Sequence, residues 1–483
     1  MMLGRKQLLI NGEWRDASNG KTQPVVNPAT EEVIAEVASA TDEDVDAAVR
    51  AARAALDGPW GKMPARERGR LVYKLGEELM AQADEVARLE TLHNGKPITE
   101  SRHVEIPAAA ECLQYFAGWA DKVHGETVPV KGGQLVYTLR EPVGVVAAIV
   151  PWNFPLLIAV WKVAPALAMG NTVILKPASQ TPLTALALGE MATALGFPPG
   201  VLNVITGSGS TAGQAIVNHP GIDKIAFTGD TSTGKGIMKS AADTLKHITL
   251  ELGGKSPNIV FADADLDAAV RGATMGIFYG KGEVCAAGSR LLVESSIKDE
   301  FLAKIADRTK KMVAGDPMNP KTRLGAISSK AQLERVLRYV ETAKQEGATL
   351  LAGGERTDIG TGKGYFMQPT VFGDVTVDMT IAREEIFGPV LAAIEFADVE
   401  DAISKANASI YGLASGVWTR DVRKAHYVAS KLKAGTVWIN TYNTYDAAAA
   451  FGGYKQSGFG REMSMHALEY YTQLKTVWVD MAP

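Results

Sequence analysis

The strongest constraint on the fold is a regular alternation of short apolar runs and helix-forming segments between residues 143 and 252. Runs of five to seven apolar residues with little polar alternation are typical of strands buried on both faces of a sheet. The five runs are GVVAAIV (144–150), TVILK (172–176), VLNVI (201–205), KIAFT (224–228) and HITLEL (247–252). With the four helices predicted between them, they indicate an α/β fold with a doubly wound parallel sheet. Ligands bind such sheets at the carboxyl ends of the strands.

Further elements are predicted on both sides of this region. Three helices are expected at 41–56, 65–93 and 104–120, the first capped by Thr41. A second α/β unit begins near Pro257, and its predicted strands cover 258–262, 290–294, 412–418 and 436–440. The tail at 470–480 alternates β-prone residues, so it must pair with another segment or with another subunit.

Length, charge and cysteine content exclude several classes of protein. A chain of 483 residues predicts two or three domains, and its net charge of −4 disfavours nucleic acid and anionic membranes as partners. Cys112 and Cys285 are the two cysteines, too few for a disulfide framework. The most apolar region, 143–170, is interrupted by prolines, an asparagine and Lys162, unlike a membrane span. Together with a beginning that lacks a signal-peptide layout, these features predict a cytoplasmic protein.

Three side chains in the predicted loops could carry chemistry. Cys285 is preceded by Gly280 and Gly282, which would let a substrate approach it closely, and Glu251 closes a predicted strand. A cysteine nucleophile needs a site for the oxyanion and a base that activates water for hydrolysis of its acyl form. Asn153 and Glu251 could supply these two functions. Each residue also has a structural interpretation, as a core cysteine, a solvated glutamate and a turn asparagine.

Six blocks of sequence resolve these alternatives, namely 151–179, 224–234, ELGGKSPNIVF (251–261), GEVCAAGSR (282–290), EEIFGPV (384–390) and FGGYKQSGFGRE (451–462). Together they resemble the aldehyde dehydrogenase superfamily over nearly the whole chain. They occur in the order of the family, and Glu251 precedes Cys285 by 34 residues, as expected of the family.

The resemblance implies oxidation of an aldehyde to a carboxylic acid through a thioester, without a metal. It implies that Cys285 attacks the carbonyl, and that Asn153 and the backbone N–H of Cys285 hold the oxyanion. Glu251 would activate water against the thioester. Lys162 and Glu462 match positions that relay protons for this base, or else they form a buried salt bridge. Cys112 has no motif around it and is interpreted as a core residue.

The resemblance also implies an NAD or NADP site. Lys176 would reach the adenosine ribose, Thr228 and Gly229 would lie at the pyrophosphate, and Glu385 and Phe387 would hold the nicotinamide ribose and ring. Other positions that match the cofactor site are Val150, Pro151, Trp152, Ser179, Gly209, Gly213 and Leu252. The absence of a strict G-x-G-x-x-G motif is expected in this family.

Four positions depart from the pattern of the family. Ser179 replaces a glutamate that grips the ribose hydroxyls in many NAD-specific relatives, which predicts that NADP is accepted or preferred. Asp230 replaces a small hydroxyl residue, and its carboxylate would repel pyrophosphate unless it turns outward. Glu283 replaces a glutamine, so it either raises the pKa of Cys285 or faces away from it. Ala450 replaces a frequent proline of the substrate tunnel.

The residues that match tunnel-lining positions are aromatic, and an aliphatic or aromatic aldehyde of moderate size is the first expectation. They are Phe154, Trp161, Tyr279, Tyr445 and Phe451. Trp161 stands where enzymes for semialdehyde dicarboxylates have arginine, which disfavours succinate semialdehyde. The second expectation is an aminoaldehyde or betaine aldehyde, held by cation–π attraction. Transfer of the acyl group to coenzyme A is less favoured, because Glu251 provides a base for water.

The resemblance divides the chain into three parts. Residues 1–120 and 142–252 are expected to form the dinucleotide-binding domain, and 253–455 the catalytic domain. Segments 121–141 and 468–483 match a small β oligomerisation arm, which predicts a homodimer or homotetramer.

Overall fold

The computed structural model describes residues 3–481, and its first large sheet has eight strands. In spatial order these are Gly458–Phe459, His247–Glu251, Lys224–Thr228, Val145–Ile149, Thr172–Lys176, Leu202–Val204, Leu8–Ile10 and Glu13–Arg15. The five central strands are parallel, and the strands added at the two edges are antiparallel. The strand order reverses between Val145–Ile149 and Lys224–Thr228, so the predicted doubly wound sheet is confirmed.

The helices around this sheet bury apolar faces against it and against one another. They are Asp42–Asp57, Pro59–Lys62, Ala65–Ala81, Ala83–Asn94, Ile98–Glu100, Ile106–Ala117, Pro155–Ala168, Leu183–Ala194, Gln214–Asn218 and Thr231–Ala241, with π-helical turns at Ser101–Glu105 and Gly209–Gly213 and a 3₁₀ turn at Ala242–Thr244. Thr41 and Asp44 form a capping box at the first of them. The single helix predicted over 65–93 is wrong. The backbone leaves helical geometry at Gln82, and a second helix starts there and buries Val86.

The second large sheet has seven strands. In spatial order they are Thr349–Ala352, Thr370–Gly373, Val390–Phe396, Arg290–Glu294, Pro257–Val260, Ala414–Trp418 and Thr436–Ile439. All pairs are parallel except the pair formed by the first strand. Its α-helices are Leu266–Phe278, Lys298–Lys310, Lys330–Gln345, Thr380–Arg383, Val399–Asn407 and Val422–Lys431, and 3₁₀ turns lie at Tyr279–Gly282, Ser295–Ile297, Lys455–Ser457 and Met465–Tyr470.

Two three-stranded sheets complete the fold. One contains Arg5–Lys6, Glu32–Ala38 and Thr22–Asn27, and the other contains Thr472–Asp480, Gln134–Pro142 and Thr127–Val128. The tail strand pairs antiparallel with Gln134–Pro142 of the same chain, from Thr472 opposite Pro142 to Asp480 opposite Gln134. Its pairing partner is therefore supplied within the chain.

The predicted outer segments extend to residues 1–2 and 482–483, which lie outside the described residues. Within residues 3–481, no helix combines the length and the apolar character that crossing a bilayer requires.

Candidate active site

Cys285 lies where two cavities meet. One, which we call the inner cavity, has a volume of about 150 Å³ and is also lined by Asn153, Glu251 and Glu385. The other, which we call the tunnel, has a volume of about 480 Å³ and a mainly apolar lining. Cys285 thus borders both a cavity that contains the carboxyl groups of Glu251 and Glu385 and a mainly apolar one.

A strained turn brings the thiol to this position. Gly280, Lys281 and Gly282 all have positive φ, from 55° to 71°. A Cβ on Gly282 would lie 2.3 Å from the carbonyl oxygen of Gly388, so this position requires glycine. Gly280 and Gly282 are therefore required by the conformation of the backbone that precedes Cys285.

Burial dominates the electrostatics of the thiol. Burial and, to a smaller extent, the carboxylates of Glu385 and Glu251 together raise the pKa of Cys285 to about 12, although the backbone N–H groups of Ala286 and Cys285 oppose this shift. Glu283 faces away from the thiol: its Oε1 accepts a hydrogen bond from the backbone N–H of Ser328 at 3.0 Å. The carboxylate that stands in place of the expected glutamine is thus held in a buried contact with Ser328, away from Cys285.

Asn153 directs its side chain toward the cysteine loop. The residue is buried, and its Nδ2 donates to the carbonyl oxygen of Glu283 at 2.9 Å. An asparagine amide has two N–H donors, so this bond uses one of them. The other can serve a ligand in the inner cavity, which Asn153 and Cys285 both line.

Glu251 ends a central strand with its carboxylate buried. Among the described residues neither of its oxygens has a hydrogen-bond partner. Burial raises the pKa of Glu251 well above its ordinary value, and the carboxylate of Glu462 raises it further, whereas Lys162 and Arg461 lower it. A carboxyl group whose pKa is raised in this way is a stronger base than an ordinary glutamate once it is deprotonated.

Lys162 and Glu462 meet as a buried ion pair, with 2.5 Å between Nζ and Oε1. The backbone of Glu462 also pairs with Phe451, which lines the tunnel. Of the two interpretations of this pair, the salt bridge is present in the structure. The two members of the pair shift the pKa of Glu251 in opposite directions, and the relay of protons stays a prediction.

A third cavity, which we call the outer cleft, lies at the switch point of the eight-stranded sheet and has a volume of about 420 Å³. It shares Pro151, Trp152, Thr228 and Gly229 with the inner cavity. Every residue predicted for the cofactor lines one of these two cavities. The outer cleft contains Val150, Pro151, Trp152, Lys176, Ser179, Gly209, Gly213, Thr228 and Gly229, and the inner cavity adds Leu252, Glu385 and Phe387.

The tunnel contains all the aromatic residues predicted for it, namely Phe154, Trp161, Tyr279, Tyr445 and Phe451. Phe154 and Tyr279 stack with ring centroids 6.3 Å apart, and Trp161 packs against Phe451 at 5.7 Å. The charged side chains among the described lining residues are Glu111 and Asp446, both acidic and exposed. Ala450 is exposed and does not belong to this lining.

The sequence model of the aldehyde dehydrogenase family matches residues 14–477. This chain belongs to the aldehyde dehydrogenase family. It is 50% identical to the human mitochondrial aldehyde dehydrogenase over 476 residues, which cover 98% of this chain and 92% of the relative.

Two solved structures are also similar to this aldehyde dehydrogenase. The NAD⁺ complex of the Bacillus cereus aldehyde dehydrogenase is 51% identical, with a TM-score of 0.97 over 99% of this chain and 97% of that one. A betaine aldehyde dehydrogenase from Staphylococcus aureus, also in complex with NAD⁺, is 43% identical, with a TM-score of 0.97 over 99% and 98% of the two chains. The present protein is therefore an NAD(P)-dependent enzyme.

The residues of this aldehyde dehydrogenase fit a dinucleotide. Lys176 is buried at the end of its strand, where its Nζ donates to the carbonyl oxygen of Pro177 at 3.0 Å. Burial lowers the pKa of Lys176 to about 8, so an anionic ligand would favour its charged form. Ser179 donates its hydroxyl to the carbonyl oxygen of Gly207 at 3.2 Å. This serine brings no negative charge toward Lys176.

Asp230 changes the expected phosphate contact of the aldehyde dehydrogenase. Its Oδ1 accepts hydrogen bonds from the backbone N–H groups of Ser232 and Thr233, at 2.8 and 3.1 Å. The backbone N–H of Gly229 donates to the carbonyl oxygen of Glu251 at 3.1 Å. The backbone N–H groups of Gly229, Ser232 and Thr233 at the helix start are therefore bonded within the protein, and the place of Thr228 and Gly229 at the pyrophosphate stays a prediction.

Sequence analysis missed two residues of the inner cavity, Gln332 and Arg335. Gln332 donates from Nε2 to the carbonyl oxygen of Phe387 at 2.6 Å, and Arg335 donates to that of Glu385 at 3.1 Å. Phe387 has a φ of 62°, a conformation that an ordinary residue adopts only when its surroundings enforce it. Both missed residues lie on Lys330–Gln345, in a segment without a recognised motif.

Proposed function

We propose that this enzyme oxidises an aliphatic or aromatic aldehyde of moderate size to the carboxylic acid through a thioester on Cys285. The observation that carries the proposal is the position of Cys285 between the apolar tunnel and the inner cavity, which also contains Glu251. An aldehyde that enters by the tunnel meets the sulfur with its carbonyl carbon. The inner cavity, on the other side of Cys285, is where the residues of this chain would hold the cofactor.

The first half of the reaction forms a carbon–sulfur bond. The thiolate of Cys285 attacks the carbonyl carbon, and the negative charge develops on the aldehyde oxygen. The free N–H of the Asn153 amide and the backbone N–H of Cys285 are the proposed donors to this oxyanion. Glu385 and Phe387 would hold the nicotinamide end of the cofactor in the inner cavity, where it would supply the hydride acceptor, and the acyl group would remain on Cys285 as a thioester.

The second half hydrolyses the thioester. Glu251 takes a proton from water, the hydroxide adds to the acyl carbon, and the carbon–sulfur bond breaks to release the acid and the thiolate. The raised pKa of this carboxyl group makes it an effective base once it has lost its proton. The Lys162 ammonium group is proposed to stabilise the charged form of Glu251, and the Glu462 carboxylate is proposed to receive its proton. A base for water also disfavours coenzyme A as the acyl acceptor.

We propose that NADP is accepted or preferred, because Lys176 would offer the 2′-phosphate a cation and Ser179 would not oppose it with a carboxylate. Lys176 supplies the positive charge, and Ser179 supplies a hydroxyl in place of an acidic group. The two residues line the same part of the outer cleft as Gly213, whose Cβ position lies 3.6 Å from Cε of Lys176.

A second candidate substrate is an aminoaldehyde or betaine aldehyde. It is favoured by Glu111 and Asp446, the acidic pair of the tunnel lining, and by the aromatic faces between them and Cys285. Aromatic faces and carboxylates both attract cations. The Staphylococcus aureus relative carries betaine aldehyde in its name.

We further propose that the three-stranded sheet of the tail is an oligomerisation arm and that the enzyme is a homodimer or homotetramer. Its strands expose several large apolar side chains, namely Val128, Leu135, Leu139, Leu474, Trp478 and Val479. Sedimentation equilibrium would distinguish a dimer from a tetramer.

The division into a dinucleotide-binding part (1–120 and 142–252) and a catalytic part (253–455) is proposed on the two large sheets.

The test of the proposed function is a panel of aldehydes assayed with NAD and NADP, on the native enzyme and on C285A. We expect acid and reduced cofactor in equal amounts from the native enzyme and none from C285A. C112A is the matched control, since Cys112 is a buried core cysteine that also borders the tunnel. Turnover by C285A at a rate close to that of C112A would contradict the proposal.

A further inference from the structure

A cluster of charged side chains with no assigned role is buried behind Asn153. It is centred on the turn from His93 to Lys96, whose members are at most 1% exposed where they are polar. Buried charges are costly unless paired, so such a cluster marks a position where geometry must be maintained. The buried acidic members are Glu90, Glu105 and Glu283, the basic members are Lys96, Lys281 and His93, and the half-buried Glu100 lies beside them.

Lys96 connects this cluster to Asn153. Its Nζ donates to the backbone carbonyl oxygen of Asn153 at 2.7 Å and to Oε2 of Glu105 at 2.5 Å. The same ammonium group lies 4.5 Å from the ring centroid of Phe154. It therefore contacts the backbone of the residue that donates to the oxyanion and the side chain of the next residue, which lines the tunnel.

A second set of hydrogen bonds, through Asn94, also reaches the loop that contains Asn153. Nζ of Lys281, in the turn before Cys285, donates to Oδ1 of Asn94 at 2.7 Å. Nδ2 of Asn94 donates to the carbonyl oxygen of Trp152 at 2.8 Å. The turn 93–96 thus links the loop that contains Asn153 to the loop that contains Cys285.

We propose that Lys96 is a positioning residue for aldehyde oxidation, which acts by fixing the peptide of Asn153 so that its side-chain amide stays aimed at the oxyanion. Among residues 3–481, the side chain of Asn153 reaches the cysteine loop through one hydrogen bond, from Nδ2 to the carbonyl oxygen of Glu283. Without Lys96, the carbonyl oxygen of Asn153 would retain a longer contact of 3.4 Å with Nδ2 of Asn94. The inference rests on the proposed role of Asn153.

The predicted consequence is a loss of kcat with little loss of cofactor binding. Oxyanion donors act in the transition state, and a small misplacement of such a group can lower the rate by about a hundredfold. Lys96 does not line the outer cleft or the inner cavity, so affinity for the dinucleotide should be retained.

The experiment is a double-mutant cycle between Lys96 and Asn153. Because K96M alone would leave Glu105 unpaired, the first variant is K96M/E105Q, with K96M measured beside it. K405M, which removes a half-buried ion pair with Asp401 far from the site, is the control for loss of a lysine. The readouts are kcat and KM for an aldehyde, the dissociation constant of NAD from tryptophan fluorescence, and the thermal midpoint.

We expect K96M/E105Q to lower kcat by about tenfold to a hundredfold, and by less than about threefold when it is combined with N153A. The dissociation constant of NAD should stay within about twofold of native, and K405M should behave as native. If K96M/E105Q lowers kcat by the same factor with and without the Asn153 side chain, or leaves kcat unchanged, the positioning role of Lys96 is overturned. The proposed role of Asn153 would be unaffected by either result. An N153A enzyme with native kcat would overturn the proposed role of Asn153 and the inference with it.

Discussion

Lys281 and Glu283 form an ion pair in the turn before the nucleophile, with 2.9 Å between Nζ and Oε2 and both side chains about 1% exposed. Burial raises the pKa of Glu283 and lowers that of Lys281, and their mutual attraction only partly opposes these shifts. The pair is directed away from Cys285, since Oε1 of Glu283 bonds the backbone of Ser328. The positive charge of Lys281 and the negative charge of Glu283 therefore balance each other inside this buried loop.

Removing one partner of this pair should destabilise the protein more than removing both. E283Q leaves the Lys281 ammonium buried without its counter-charge, so we expect the free energy of unfolding to fall by about 3–5 kcal/mol. K281Q/E283Q should be close to native or more stable. Chemical denaturation measures this difference. The pH dependence of Cys285 alkylation should be native in the double variant, and a clear shift would show that Glu283 acts on the thiol.

Opposite shifts of the pH profile are expected when either member of the Lys162–Glu462 pair is replaced. The Glu462 carboxylate raises the pKa of Glu251 and the Lys162 ammonium lowers it. Glu251 acts as a base only when deprotonated, so the rate rises as pH passes upward through its pKa. E462Q should move this rise to lower pH, and K162M should move it to higher pH.

The measurement is kcat against pH under conditions where thioester hydrolysis limits turnover. E469Q is a matched control, because Glu469 is exposed and lies on the segment that follows Glu462. Shifts in the same direction for E462Q and K162M would contradict the proposed electrostatic control of Glu251.

Cofactor preference should change with the charge at residue 179. In S179E a carboxylate would face Lys176 and repel a 2′-phosphate, so we expect kcat/KM with NADP to fall by about a hundredfold or more. The value with NAD should be retained or rise. K176M should weaken NADP more than NAD, and T193E, an exposed position outside the cleft, should leave the ratio unchanged. A native enzyme whose kcat/KM for NADP is below about a hundredth of that for NAD, a gap of roughly 2.7 kcal/mol, would overturn the prediction.

The cofactor sheet was predictable from the sequence because its strands are buried on both faces. KIAFT and TVILK match their strands residue for residue, since a parallel strand under two helical layers is a continuous apolar run. The second sheet was predicted incompletely. The edge strand Thr349–Ala352 is partly exposed, and Thr370–Gly373 is short, so neither stands out as an apolar run. Val390–Phe396 was also missed.

The site was predictable to the extent that its residues stand in recognisable blocks. Cys285, Glu251 and Glu385 lie in such blocks and line one cavity. Gln332 and Lys96 lie outside them, and they act over sequence separations of 55 and 57 residues. Contacts between side chains and distant backbone carbonyls leave no periodicity or composition that the sequence could reveal.

The identity of the aldehyde depends on whether the acidic tunnel residues act on the substrate. If the substrate is a cationic aldehyde, D446N and E111Q should each lower kcat/KM by about threefold to tenfold. The reason is that a solvent-screened carboxylate at an exposed opening contributes on the order of 1 kcal/mol to the binding of a cation. Uncharged aliphatic and aromatic aldehydes should be unaffected, and added salt should reduce the difference. D307N, which removes an exposed carboxylate outside the tunnel, is the control. Equal kcat/KM values for charged and uncharged aldehydes of the same length, unchanged in both variants, would exclude the cationic substrate and leave the apolar aldehyde.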